Sequence, residues 1–315
     1  MSALLRPPPN EGNGAQTRAW RRRDCVGLGD MGHTLTPMTF KQYLRDEVTK
    51  GLDETYKVDE AWAKHHPGRA YYDVHLSTIE RHEMAAPTFR QYLGQGGLKI
   101  LESGCGTGRW MAFFETLGNQ AFGVDDSWGP LRLAREHDPD MRLVRGSALQ
   151  TPFPDNTFDA AFSSYVAEHF EEGPEALFRE IHRVLKPGGL LFVVVPFNNT
   201  FRRFVVNPIL MALWQVWKWR GKGLGFTEFR YTRGEMEGFL QRTAFDIVDV
   251  RPDDFLPPWQ KGLFCDLCDV GCFFRYEPKP PYEFGPFGRA VAAAIRGLGP
   301  WHSAGGIFFV TRARK

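Results

Sequence analysis

The stretch from Lys99 to Trp110, KILESGCGTGRW, limits what this chain can fold into more than any other. Lys99, Ile100 and Leu101 start a short apolar run, Glu102 comes next, and glycines then stand at alternating positions 104, 106 and 108. Beyond them WMAFFETL has helical spacing. The pattern reads as strand, glycine turn, helix. Glycine has no Cβ and tolerates positive φ, so a ligand can approach such a turn closely. The helix after the turn presents free N–H groups and the positive end of its dipole. A carboxylate at the strand's end would repel a pyrophosphate. It suits a ligand that carries a cation there.

This combination resembles the nucleotide-binding motif of the class I S-adenosylmethionine-dependent methyltransferases, in their small-molecule, type 11-like branch. Glu102 stands at that family's acidic position, and SGCGTG matches the family's glycine turn. The resemblance continues through GVDDS, PFPDNTFD and REIHRVLKPGGLLFVVVP, in the expected order over roughly residues 98–196. It implies a Rossmann-like α/β fold. The sheet would be seven-stranded and mostly parallel, with an antiparallel last strand inserted beside strand six. It also implies S-adenosyl-L-methionine as cofactor, whose ammonium, carboxylate and sulfonium suit an acid beside a glycine turn. Glu102, Gly104, Cys105, Gly106 and Gly108 would hold it.

The residues themselves give alternating strand and helix from 98 onward, the pattern of a parallel sheet covered on both faces. Core strands are expected at 98–102, 121–124, 141–146, 158–164 and 190–196. Helices are expected at 108–117, from about Ser127, and at 175–186, where Pro187-Gly188-Gly189 is a stop signal. LLFVVVP is apolar on both faces and therefore central. Residues 235–252 read as helix then strand six, and 307–315 as the last strand. The domain reading is a basic tail without core-forming pattern at 1–33, an N-terminal helical cover at 34–97, and the main domain at 98–315. That domain carries two aromatic-rich insertions, 197–231 and 253–306. In the cover, 39–63 and 77–93 read as helices. The tail has a GxGxxG match at Gly27, Gly29 and Gly32, but no strand precedes it and no amphipathic helix comes after it, as that fingerprint requires. The tail reads as a basic arm, a transit-like peptide, or sequence upstream of a start at Met31 or Met38, the last being preferred.

Several residues then become candidates. Asp125 ends the second core strand, where an acid can accept both ribose hydroxyls, and Asp126 is its neighbour and rival. Ser127 suits a helix cap. After the third strand the family often has an acid facing the adenine amino group. Here Ser147 and Ala148 stand there. Ser163 and Tyr165 fall where the family lines the sulfonium end. His169, beside Glu168, is the candidate base if the acceptor must lose a proton, although a structural hydrogen bond is the commoner role for such a histidine. Tyr71 and Tyr72 precede the core and would face substrate or pack the cover.

Cys265, Cys268 and Cys272 are spaced to share one helix face among apolar neighbours. Three thiols fall short of zinc's four ligands, so a packed stripe is expected and no metal. FVVNPILMALWQVWKW, 204–219, is apolar nearly all round, with Asn207-Pro208 reading as cap and first turn. It is too short to span a bilayer. It reads as a lid carrying Trp214 and Trp217 toward substrate, or as a packing helix, with an interfacial helix meeting lipid as the other reading.

A formal net charge of +2 argues against a dedicated nucleic-acid binder, which carries a strong basic excess. Five cysteines, an odd count, suit a reducing, cytoplasmic setting. No Asn-Pro-Pro-Tyr signature stands after the fourth strand, where the chain reads Ser-Ser-Tyr-Val. The functional expectation is methylation of a small hydrophobic molecule. The rivals are an NAD(P)-dependent oxidoreductase on a related fold and a non-catalytic S-adenosylmethionine-binding protein.

Overall fold

The computed structural model describes residues 40–45, 79, 84–221, 223–255, 261–270 and 284–315. Its strands are β1 (Phe40–Arg45), β2 (Lys99–Ser103), β3 (Gln120–Asp125), β4 (Arg142–Arg145), β5 (Phe158–Ser164), β6 (Leu185–Pro196), β7 (Leu224–Arg230), β8 (Phe245–Asp253) and β9 (Gly306–Ala313). Its helices are α1 (Ala85–Leu93), α2 (Arg109–Thr116), α3 (Trp128–His137), α4 (Glu175–Val184), α5 (Asn207–Trp219), α6 (Arg233–Arg242), α7 (Lys261–Val270), α8 (Pro286–Arg296) and α9 (Pro300–Ser303).

Seven strands form one sheet in the order β4-β3-β2-β5-β6-β9-β8. Neighbours from β4 to β6 are parallel, while β9 runs antiparallel between β6 and β8. The chain moves outward from β2 to β4, then returns to place β5 on the other side of β2. That reversal makes a crevice beyond the carboxyl ends of β2 and β5, the usual ligand position in an open α/β sheet.

Alternation along the central strands builds two apolar layers. Leu191, Val193 and Val195 of β6 face α4 and α6, whose Leu177, Phe178, Ile181, Met236 and Leu240 are buried with them. Phe192 and Val194 face the other way, toward α1, α2 and α3. There Phe89 sits among Trp110, Phe114, Phe162 and Phe192, with ring centroids 4.9–5.3 Å away. Burying that ring is worth about 3–5 kcal/mol against alanine.

Two expectations are corrected, and one strand lies where none is expected. The helix expected over 39–63 begins instead as β1, which pairs antiparallel with β7 in a separate two-stranded sheet. FKQYLR is short enough to adopt either period, and its strand partner decides. Phe40 stacks on Trp214 at 5.4 Å, and Lys41 lies 5.2 Å over the Phe229 ring. β7 itself lies in an insertion for which the sequence pattern gives no strand. Finally, Asn207 is no helix cap. A wider π-type turn, Arg202–Val206, runs into α5, and Asn207 is helical and buried, donating to Asn198 Oδ1 at 2.9 Å. The helix therefore starts before the sequence's punctuation for it.

Candidate functional site

The candidate residues gather along the carboxyl edge of the sheet. Glu102 is on β2, next to Gly123 of β3 and Phe162 of β5. It is buried, and the amide of Met111 in the first turn of α2 points at its carboxyl. Its Oε2 has no hydrogen-bond partner among the described residues. Burial pushes this carboxyl up from the ordinary 4.5 to about 8, against the pull of Arg109. A buried carboxyl oxygen with nothing to bond is costly unless a ligand supplies the partner.

The glycine turn closes beside it. Gly104, Gly106 and Gly108 all have positive φ, at 76°, 52° and 69°. A Cβ at Gly104 would run into Val166, and one at Gly108 into the Met141 sulfur. Gly108 also starts α2. Cys105 faces inward instead, and its sulfur would meet a Cβ on Gly123 at 2.6 Å. Burial, with the carboxyls of Glu102 and Asp125 beside it, holds its thiol well above the usual range. It is a packing residue with a protonated sulfur, not a nucleophile.

Asp125 at the end of β3 accepts from Gly106 N at 2.8 Å through Oδ2 and from Ser127 N at 2.9 Å through Oδ1. Burial raises its carboxyl, and those two amides oppose the rise. Each oxygen keeps a second lone pair, so ribose hydroxyls can still be accepted. Asp126 is exposed and is engaged by the Ser127 hydroxyl at 3.2 Å. Ser147 is exposed too, its hydroxyl accepting from Leu149 N at 3.1 Å, and Ala148 packs partly on the core. Ser163 is fully buried on β5, with no partner for its hydroxyl oxygen among the described residues.

Tyr165 comes after β5 with φ 54°, a strained value for a non-glycine residue. The residue as a whole is 37% exposed, but its hydroxyl is packed where a Cβ on Gly306 would come within 2.6 Å. Burial, then the carboxylates of Asp254, Asp253 and Glu168, hold that phenol well above its usual range. His169 closes the short turn Ala167–His169. Its Nδ1 lies 2.9 Å from the Thr227 carbonyl of β7, which fixes the proton on Nδ1 and makes Nε2 the basic nitrogen. Nε2 is 3.9 Å from the buried Glu168 carboxylate. The structural hydrogen bond is thus present, and it also sets the tautomer that a base would need.

Trp214 is buried against Phe40, Val206 and Leu210, and Trp217 is half-buried beside them. Tyr71, Tyr72 and Cys272 lie outside the described residues, as does the Cys268 side chain. Cys265 is half-buried on α7.

Sequence reasoning passes over Asp253, at the carboxyl end of β8. It is buried, and burial pushes its carboxyl to about 7, with Arg109 again opposing. Arg109 thus influences two of the raised acids, Glu102 and Asp253. The signal available is a strand ending in Asp253-Asp254. Also missed is a buried charge network. Arg202 Nε donates to Asp266 Oδ2 at 2.6 Å, and Arg230 donates to Asp266 Oδ1 at 3.1 Å. Arg202 Nη1 further donates to the carbonyls of Phe197 and Gly305, each at 2.8 Å. These partners are far apart in sequence, so no local pattern reveals them.

A crevice with glycine backbone on one side, an unpartnered buried carboxyl below and an acid at the neighbouring strand fits a nucleoside bearing an ammonium. A family model described as "Methyltransferase domain" matches residues 101–193. The demethylmenaquinone methyltransferase of Geobacillus stearothermophilus is 33% identical over 210 residues, covering 59% of this chain and 88% of that protein. That of Corynebacterium kroppenstedtii is 41% identical over 120 residues, 36% of this chain and 51% of its own. The malonyl-[acyl-carrier protein] O-methyltransferase of Serratia marcescens is 34% identical over 103 residues, 31% of this chain and 40% of its own. The chain thus spans about half the length, or less, of these last two relatives. Among solved structures, geranyl diphosphate C-methyltransferase from Streptomyces coelicolor A3(2) superposes with a TM-score of 0.50 at 16% identity. That match covers 78% of this chain and 82% of the other and speaks for the fold.

Proposed function

The chain belongs to the class I S-adenosylmethionine-dependent methyltransferases, and we propose that it methylates a small apolar acceptor. The observation that carries the donor-site reading is the buried Glu102 Oε2 at the glycine turn, which lacks a hydrogen-bond partner among the described residues. The bound donor supplies an electrophilic methyl group on a sulfonium. Glu102 takes its ammonium, the turn's backbone and the start of α2 accommodate its carboxylate end, and Asp125 accepts from its ribose. Ser147 replaces the acid that often meets adenine, so adenine is held by backbone and packing more than by a carboxylate. Asp126 and Ala148 flank those contacts.

The protein's main task is then alignment and exclusion of water. Phe197 bridges to Tyr231, and Tyr231 N donates to Pro196 O at 3.1 Å, so the insertion 197–231 closes on itself at the end of β6. Its inner side, with Trp214 and Trp217, forms the acceptor's cover, and Tyr165 lies at the same edge. Where the acceptor carries a proton, His169 Nε2 removes it and Glu168 steadies the imidazolium. The relatives named for demethylmenaquinone support an apolar acceptor. Those named for malonyl-acyl carrier protein support an acidic, protein-borne one, which the outward apolar residues of the insertion disfavour. Family membership sets aside the dinucleotide oxidoreductase.

The test uses donor labelled in its methyl group with fractionated cell extract. Label is expected in the organic-soluble fraction, with His169→Gln and Trp217→Ala slowing transfer while donor affinity stays within a few-fold. Label only in water-soluble or protein-bound material would refute the apolar acceptor.

A further inference from the structure

One face of the α5 segment is buried and the other is not. Val206, Leu210 and Trp214 face inward. Outward stand Phe204, 71% exposed, Met211, 54% exposed, and Trp219, 85% exposed, with Val205, Ile209 and Val216 also exposed. A helix exposed to water ordinarily turns polar residues outward, so six large apolar ones on one short segment mark a contact surface. The charge around them has one sign. Arg203 lies at one end, its guanidinium 5.7 Å over the Phe204 ring, and Lys218 and Arg220 lie exposed at the other. From Ile181 to Thr227 the sequence has no Asp or Glu. No helix among the described residues is long and apolar enough to cross a membrane.

We propose that this face docks in the plane of an anionic lipid surface, with Phe204, Met211 and Trp219 entering the acyl boundary and Arg203, Lys218 and Arg220 meeting the headgroups. Apolar side chains between cations are what an interfacial helix needs, and each cation near an anionic surface adds to the attraction. A second copy of the chain is the other candidate cover. Two copies paired through this face would set its cations against each other with no acid of the segment to offset them. The helix leaves the carboxyl end of β6, and its inner side carries the cover of the site. Docking would therefore bring the acceptor's entrance to the lipid, a consequence that rests on the proposed function, whereas the docking itself does not.

The test is sedimentation of the full chain with vesicles of phosphatidylcholine alone and of equal phosphatidylcholine and phosphatidylglycerol. Binding is expected to the mixed vesicles and to weaken with salt. Phe204→Glu with Trp219→Glu should weaken it about tenfold or more, since each change replaces inserted apolar surface with charge. Lys218→Glu with Arg220→Glu should remove the preference for phosphatidylglycerol. Both pairs are exposed, so melting and donor affinity should hold and serve as controls. Unchanged sedimentation of the Phe204/Trp219 variant would overturn the proposal. So would a dimer in analytical ultracentrifugation that the same variant breaks, with no vesicle binding by the parent. Vesicle binding without methyl transfer would refute the proposed function alone. Transfer to a detergent-dispersed acceptor without vesicle binding would refute the docking alone.

Discussion

The amide of Gly106 donates to Asp125 Oδ2 at 2.8 Å, which ties the glycine turn to the neighbouring strand. One carboxylate thus shapes the turn and, in the proposed donor site, meets the ribose. Its other oxygen holds Ser127 N, so the start of α3 is fixed by the same group.

Asp125→Ala removes the acceptor of both amides and the proposed ribose contact. We expect donor affinity to fall by about 1.5–3 kcal/mol, the range for hydrogen bonds to a charged group. Gly106→Val should abolish binding, because a β-branched residue is strained at φ 52° and fills the turn. Calorimetric titration checks both. Wild-type affinity in either variant would contradict the assignment.

The Arg202–Asp266–Arg230 network ties the first insertion to α7 in the second. Arg202→Met takes from the buried Asp266 its closer partner and leaves it Arg230 alone, so the variant should cost about 3 kcal/mol, the lower end of the range for breaking a buried pair. Asp266→Leu should cost less in that chain than it does alone, since one of the two partners it strands is already gone. Denaturant unfolding of the single and double variants measures it, and strictly additive losses would show that the pair is not coupled.

Gly306 is held to glycine by the Tyr165 hydroxyl. Gly306→Ala puts a Cβ at 2.6 Å from that oxygen but 3.5 Å from the ring carbon bearing it. The variant should therefore melt lower, and adding Tyr165→Phe should restore much of the loss. If the double variant melts no higher than Gly306→Ala alone, the clash lies elsewhere.

Local chemistry makes the sheet readable and points to the residues of the proposed donor site. KILES and LLFVVVP carry strand patterning, and Pro187-Gly188-Gly189 marks where α4 ends, although those three residues already belong to β6. Glu102, the three glycines and Asp125 are read from one short stretch and the strand after it. The insertions are less readable, because their structure depends on distant partners. Phe40–Arg45 is a strand because β7 lies beside it, and Arg202 is buried because Asp266 reaches it from α7. Asn207-Pro208 has the letters of a helix start, and the proline does stand in the first turn of α5, but the preceding π-type turn makes Asn207 helical and not a cap. His169 reads in sequence as either structural or basic, and its bond to Thr227 cannot be found without β7.

The raised carboxyl of Glu102 gives the most direct test of the donor site. In the free protein the folded state holds this proton from the ordinary 4.5 up to about 8. The stability it contributes is full below the lower value and fades as pH rises through the upper one. Asp253, pushed to about 7, adds in the same direction. A bound ammonium favours the ionised carboxylate, so binding must release the proton at lower pH. The measurement is calorimetric affinity for S-adenosylmethionine from pH 6 to pH 8.5, for the wild type and Glu102→Gln. The wild type should bind more tightly as pH rises and level off near 8, with proton uptake by the buffer at pH 6. The variant should bind more weakly at pH 8, with little pH dependence over the same range. Equal affinity and equal pH dependence in the two proteins would contradict the account.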